Sequence, residues 1–231
     1  MQDRRSQLPL NLREHRGWGG RRRGAGRKHG PNPGVPHRRR ECIAARHPIH
    51  VTVRLRPGLP TLRTVPFVRD LERSFAAVRA RTDFRLVHYA LQNTHAHFVV
   101  EATDTDALAR GMMAVGARIA RALNRVSGRR GSVLAERFHL RVLRTPRDVR
   151  NVLAYVLLNA RRRARRIARA LRIDPASSGR WFDGWRWQPV VSDHGPEIAP
   201  VSEPMTWLLR IGWRRHGLID PDEIPAASGR V

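Results

Sequence analysis

Cysteine, lysine and acidic residues are scarce in this sequence, and it contains no long apolar run. Cys42 is the only cysteine among 231 residues, which excludes an internal disulfide and any zinc site built on several thiolates. A chain of this kind suits a reducing compartment. It has neither the roughly 20 consecutive apolar residues that span a bilayer nor the apolar segment of a signal peptide. The sequence therefore predicts a cytoplasmic protein with no membrane partner.

The shortage of acidic residues leaves a large positive charge. Lysine and arginine together number 45 against 19 aspartates and glutamates, for a formal net charge of +26 and an isoelectric point near 12.0. Lys28 is the only lysine, so a general bias towards arginine explains part of the count, but the excess over acidic residues remains. Such a chain is typical of proteins that bind polyanions. Nucleic acid is the leading candidate, ahead of an acidic membrane surface.

The composition divides the chain into three regions. Residues 1–47 are rich in Gly, Pro and Arg and lack any periodicity, which predicts a disordered basic arm. Residues 48–172 carry periodic apolar patterns and are predicted to form the main folded domain. Residues 173–231 form an extension rich in aromatic residues, which either stack on unpaired bases or, as we favour, pin the extension onto the core. The aromatic residues of the extension are Trp181, Phe182, Trp185, Trp187, Trp207 and Trp213.

The apolar residues of the middle region follow two periods. They alternate with polar residues in "HPIHVTVRL", "FRLVHYALQ", "HAHFVVEA" and "FHLRVL", which indicates half-buried strands. They recur every three or four positions in "VPFVRDLERSFAAVRAR" and "ALARGMMAVGARIARALNRV", as in amphipathic helices. The resulting order is strand, helix, strand, strand, helix, strand. It predicts an α+β fold, a ferredoxin-like or RRM-like split β-α-β sandwich whose antiparallel sheet carries helices on one face.

Two histidines lie two residues apart in the third predicted strand, "HAHFVVEA". Because side chains alternate along a strand, His95 and His97 share one face, and Ala96 points to the other. Their Cα atoms are about 7 Å apart along the strand, so the two imidazoles can converge on one metal ion. Two ligands do not complete a metal site, and a third must come from elsewhere in the fold.

A further helix supplies a candidate for that third ligand. It begins at "TPRD", where a threonine cap and a proline in the first turn are strong start signals. Tyr155 and Asn159 lie one turn apart on the flank of its apolar stripe. If this helix lies beside the sheet face with the histidine pair, the Asn159 carbonyl oxygen completes a three-ligand site and Tyr155 faces the open positions. A set of N and O ligands without thiolate suits Mg²⁺ or Mn²⁺, and the open positions suit a phosphate.

The sequence "HAH", followed by "FHLRVLRTPRDVRNVLAYVLLNAR", resembles the single-tyrosine HUH transposases, also called IS200-like transposases, and in particular their REP-associated branch. The resemblance covers about residues 47–164. It implies that His95 and His97 bind a divalent cation, that Asn159 completes the metal site, and that Tyr155 attacks a DNA phosphodiester. The position between the histidines is usually a bulky hydrophobic residue in that family, whereas here it is Ala96.

The resemblance also implies a substrate and a reaction. The substrate would be single-stranded DNA near a hairpin, cleaved and rejoined through a 5′-phosphotyrosine intermediate. Some members of the family form homodimers, so the resemblance leaves a homodimer open for this chain. Arginines that continue the tyrosine helix are expected to contact the phosphates of the hairpin stem. These arginines are Arg161, Arg162, Arg163, Arg165 and Arg166.

Two alternatives stay open on the sequence. One is a non-cleaving module that binds single-stranded nucleic acid through an RRM-like sheet, for which solvent-facing aromatic residues on the central strands would be the sign. The other is a domesticated or decayed transposase that binds DNA without cutting it. The polar sheet face with its histidine pair favours metal chemistry over the binding module. Every polar group that the reaction requires is present, so the sequence shows no sign of decay and leaves the second alternative open.

Overall fold

The computed structural model describes residues 42–76, 79, 81–159, 173–190 and 198–225. The predicted basic arm up to residue 41, and the five arginines from Arg161 to Arg166, lie outside these ranges. Within the described residues, no helix is both long and apolar enough to cross a membrane. The main elements are β1 (Ile49–Arg54), α1 (Val65–Ala76), β2 (Phe84–Leu91), β3 (His95–Ala102), α2 (Thr105–Val126), β4 (His139–Val142) and α3 (Pro146–Leu157).

The strands form one sheet in the order β2-β3-β1-β4, and every neighbouring pair is antiparallel. Strands β1 and β2 are therefore parallel to each other with β3 inserted between them, which is the split β-α-β arrangement. The predicted α+β class and the predicted order of elements are confirmed. The register places Thr52 of β1 and Ala90 of β2 on either side of His97.

Two helices cover one face of the sheet, and the third covers the other. The apolar stripes of α1 and α2 pack with Val51 and Phe98 in one cluster, whereas α3 packs with Val99 and Ala90, whose side chains point the opposite way. The sequence predicted helices on one face of the sheet, and these helices are α1 and α2. Helix α3 lies on the face that carries the histidine pair, and its start is the predicted one, because Thr145 accepts a hydrogen bond from the Asp148 N–H.

The described part of the C-terminal extension packs against the outer side of α3. Phe182, Trp185 and Trp213 are buried in the same cluster as α3, and the rings of Phe182 and Trp213 are stacked. These three residues bear out the packing interpretation of the aromatic extension. Trp207 differs, because 46% of its surface remains exposed.

Charged hydrogen bonds also tie the extension to the domain. Arg63 donates to both carboxylate oxygens of Asp174 at 2.7 Å, and Arg150 on α3 makes the same paired contact with Glu223. Glu101, at the end of β3, accepts hydrogen bonds from two consecutive backbone N–H groups, at residues 205 and 206, each at 2.8 Å. Its carboxylate therefore anchors the extension and does not belong to the histidine site.

A buried histidine makes the stability of this region depend on pH. Burial lowers the pKa of His88 from 6.5 to about 4, against a smaller raising effect of Asp183. Between pH 6.5 and pH 4, His88 is protonated in the unfolded chain but stays neutral in the folded chain. The free energy of unfolding therefore falls as the pH is lowered from 6.5 to 4. The loss assigned to this group is at most about 3 kcal/mol.

The variant His88→Asn isolates this effect, because asparagine does not titrate and its amide can take over the contact with the Ser178 hydroxyl, 3.2 Å from His88 Nδ1. Urea unfolding at pH 7.5, 5.5 and 4.5 should show a shallower loss of stability in the variant than in the wild type. Parallel profiles would contradict the assignment to His88.

Candidate active site

The two predicted strand histidines lie side by side on the face that α3 covers. The ring centroids of His95 and His97 are 4.9 Å apart and their planes are nearly perpendicular, at 86°. His97 is buried, with 5% of its surface exposed, and His95 is half-buried at the start of β3. Ala96 points to the opposite face, into the core under α1 and α2, so the small residue at this position does not touch the site.

Tyr155 meets His97 from the opposite layer. Its hydroxyl oxygen lies 3.4 Å from His97 Nε2, and the two ring centroids are 5.1 Å apart. Leu153 and Val156 of the same helix are fully packed against the sheet, which leaves Tyr155 on the flank that faces the histidines. The helix thus brings the phenol to the histidine pair, and the contact is at the long end of hydrogen-bond range.

A third histidine, His50 on β1, stands behind His97. Its Nε2 atom lies 3.2 Å from His97 Nδ1, and the Thr52 hydroxyl lies at the same distance from that nitrogen. Burial and then the nearby Arg141 lower the pKa of His50 to about 4, so the ring is neutral at pH 7. His50 is not among the site residues predicted from the sequence. Its alternation in β1 was visible, but its position beside His97 follows only from the strand order β3-β1.

Asn159 does not lie within the tyrosine helix as predicted, because α3 ends at Leu157 and Leu158 caps it. Asn159 is buried just beyond that end, with 5% of its surface exposed, and its side-chain Nδ2 has no hydrogen-bond partner among the described residues. An unsatisfied buried polar atom costs about 1–3 kcal/mol, so a partner for this amide is expected from outside the described residues. The two ends of an amide are interchangeable by rotation, so Oδ1 can take the place of Nδ2. An amide oxygen is a ligand that suits Mg²⁺ or Mn²⁺, whereas imidazole nitrogens suit several divalent transition metals. In the described ranges, no cluster of three or more His, Cys, Asp or Glu residues suits a metal ion.

Strand β4 adds polar side chains to the same sheet face. His139 lies opposite Thr52 in the register and contacts Glu136 at 3.0 Å, and Arg141 pairs with Asp148 at 2.8 Å. His139 therefore lines the face, but its carboxylate partner lies in the preceding loop. The β4 side of the site is thus polar and carries a cation, whereas α3 covers the β2 side with apolar residues.

The fold and this site together define a class, a ferredoxin-like α+β sandwich with a histidine and tyrosine cluster between sheet and helix. No protein-family model matches the chain, and no curated protein matches it. Among solved structures, it is similar to a REP-associated tyrosine transposase bound to a REP hairpin, with 18% sequence identity and a TM-score of 0.44. The match covers 54% of this chain and 72% of the other. The fold assignment rests on the strand order and register.

Proposed function

We propose that this protein is a single-stranded DNA transposase or endonuclease that cleaves and rejoins DNA near hairpins, with Tyr155 as its nucleophile. The observation that carries the proposal is the convergence of one tyrosine and two strand histidines, with the Tyr155 hydroxyl 3.4 Å from His97 Nε2. The motif order in the sequence, with the histidine pair before the tyrosine helix, supports the same function.

The reaction exchanges one phosphodiester bond for another. The Tyr155 oxygen attacks phosphorus, the bond from phosphorus to the 3′-oxygen of the preceding nucleotide breaks, and a 5′-phosphotyrosine forms. The phenol loses its proton and the departing 3′-oxygen gains one, which leaves a free 3′-hydroxyl. Attack by a new 3′-hydroxyl reverses the step and joins strands. Because the number of P–O bonds is unchanged, no external energy source is needed.

The main contribution of the chain is the position of the nucleophile. A neutral phenol is a weak nucleophile, so the rate depends on holding its oxygen in line with the phosphorus. The packing of α3 on the sheet fixes the direction of the Tyr155 ring, and its edge contact with His97 limits rotation. His95, His97 and the Asn159 amide oxygen are the residues that would hold Mg²⁺ or Mn²⁺, which supplies Lewis-acid polarisation of the phosphate when bound.

The proposed substrate follows from the same geometry and the charge. Tyr155 is half-buried between the sheet and α3, so a DNA backbone must bend into the site, which an unpaired strand does more readily than a duplex. The net charge of +26 supplies strong, salt-dependent attraction to DNA. The arginines of the continuing sequence, Arg161, Arg162, Arg163, Arg165 and Arg166, are proposed to bind the phosphates of the hairpin stem.

The test is a denaturing gel of the purified protein with hairpin DNA from the flanks of its gene, labelled at either the 5′ or the 3′ end. With Mg²⁺ or Mn²⁺, the 3′-labelled strand should shift as a protein adduct, and the 5′-labelled strand should appear as a shorter free product. EDTA should abolish the adduct, and added Mn²⁺ should restore it. Binding without any adduct, across several hairpins and both metals, would favour the non-cleaving module. An adduct that forms equally in EDTA would overturn the metal site.

A further inference from the structure

We infer that His50 is a positioning residue that holds His97 in the tautomer with an unprotonated Nε2. The inference rests on the proposed function for its use, but the contacts that carry it belong to the fold. His50 Nε2 lies 3.2 Å from His97 Nδ1, and the two rings are stacked with centroids 5.3 Å apart and planes inclined by 30°. His50 therefore touches His97 through both a polar atom and its ring face.

The two nitrogens of His97 have different tasks. Nε2 faces the Tyr155 hydroxyl and is the atom on the side of the proposed reaction, whereas Nδ1 faces β1. A neutral imidazole carries one proton, so Nε2 accepts a hydrogen bond or binds a cation only when Nδ1 carries that proton. The Nδ1–H group then needs an acceptor, and His50 Nε2 is in place to accept. In this arrangement the Tyr155 hydroxyl donates a hydrogen bond to His97 Nε2, and the His97 Nδ1–H group donates one to His50 Nε2.

The Thr52 hydroxyl also lies close to His97 Nδ1, but unlike His50 it does not select one tautomer of His97. A hydroxyl both donates and accepts, so it satisfies either tautomer of His97. The imidazole of His50 also fills space, with 3% of its surface exposed and an edge contact to the Tyr155 ring at 6.0 Å. His50 thereby restrains the ring plane of His97 and packs against Tyr155 at the same time, which the threonine does not.

The direct test is the tautomer of His97 in the metal-free protein, read from long-range ¹H–¹⁵N correlation spectra of the imidazole nitrogens. The wild type should show a protonated Nδ1 and an unprotonated Nε2. His50→Phe keeps the ring shape but removes the acceptor, and it should give a mixture of tautomers. His50→Gln, whose amide oxygen reaches the position of Nε2, should retain the wild-type pattern, as should Thr52→Val.

For the wild type and His50→Phe, two outcomes of these spectra overturn the inference. One is a wild-type His97 with a protonated Nε2, and the other is an unchanged pattern in His50→Phe. If His50→Phe fails to fold, the inference is tested by the spectra of the wild type, His50→Gln and Thr52→Val. Loss of the wild-type tautomer in Thr52→Val, with the pattern kept in His50→Gln, would assign the role to Thr52.

The second readout is Mn²⁺ affinity, measured by electron paramagnetic resonance on the full chain. Loss of the group that orients a histidine ligand weakens metal binding by about 10- to 100-fold, so that loss is expected for His50→Phe and near wild-type affinity for His50→Gln. His88→Phe is the matched control, because His88 is also a buried histidine of this sheet face but contacts Ser178 and Phe182 instead of the site. If His88→Phe lost as much Mn²⁺ affinity as His50→Phe, the effect of His50 would be one of general packing.

These readouts separate the inference from the proposed function. A wild-type protein that binds no Mn²⁺ and forms no DNA adduct overturns the proposed function, while the tautomer spectra still show whether His50 orients His97. A wild-type protein that binds Mn²⁺ and forms the adduct, with His50→Phe unchanged in both spectra and affinity, leaves the proposed function standing and overturns the inference.

Discussion

A Tyr155→Phe variant is expected to form no covalent adduct with hairpin DNA and to lose cleavage by a factor on the order of 10⁴ or more, as removal of a nucleophile does. The substitution removes one oxygen atom and leaves the ring, whose centroid lies 5.1 Å from that of His97. DNA binding and the free energy of unfolding should therefore stay close to wild type. The measurement is adduct formation on a denaturing gel beside a binding curve at matched salt.

Tyr89 provides the matched control, since the chain has two tyrosines. Tyr89 is buried in the core under α1 and donates a hydrogen bond of 2.7 Å to Glu72, so it cannot reach DNA. Tyr89→Phe should lower the stability and leave the adduct intact at a temperature where the variant is folded. An adduct that persists in Tyr155→Phe, or one that disappears only in Tyr89→Phe, would refute Tyr155 as the nucleophile.

Replacing Trp213 by alanine should destabilise the whole domain by about 3–5 kcal/mol, the usual cost of removing a buried tryptophan. The Trp213 side chain is 1% exposed, stacks on Phe182, and donates a hydrogen bond from Nε1 to the Leu209 carbonyl at 2.9 Å. Its removal leaves a cavity beside α3. Urea unfolding should therefore show a large drop in midpoint, and adduct formation should fall in parallel as the protein is warmed.

Trp207 is the control for that prediction, because it belongs to the same extension but is 46% exposed. The Arg215 guanidinium lies over the Trp207 ring, 4.9 Å from its centroid. A cation–π contact at an exposed site contributes about 0.5–1 kcal/mol. Trp207→Ala should thus cost far less than Trp213→Ala. Equal and small losses in the two variants would mean that the extension adds little to the stability of the core.

The fold was predictable because each element carries its own local signal. The alternation of Ile49, Val51 and Val53 indicates a strand wherever it lies in the fold, and the Thr145 cap marks the start of α3 regardless of what the helix packs on. The ferredoxin-like order followed from the sequence of strands and helices, since few topologies accommodate it without crossing connections.

The rest of the site depends on contacts between distant residues. His50 and His97 are 47 positions apart. The predicted topology places β1 next to β3, but no local pattern shows the register that brings the His50 ring against His97. Glu101 shares the alternation of His95 and His97, yet its carboxylate binds backbone N–H groups of residues more than a hundred positions later. Such long-range partners are set by the packed structure, so the sequence offered His95, His97 and Tyr155 as candidate site residues but did not show which side chains surround them.

The contacts between the extension and α3 have a consequence for the order of synthesis. A ribosome releases Tyr155 and its helix before the residues that cover the outer side of that helix, including Trp213 and the Glu223 partner of Arg150. Until those residues emerge, the side of α3 that they cover is exposed to water as an apolar surface. A chain truncated between these points would contain Tyr155 and the histidine pair but lack part of the packing that holds α3 on the sheet. If the proposed function is correct, we therefore expect adduct formation to require the complete extension.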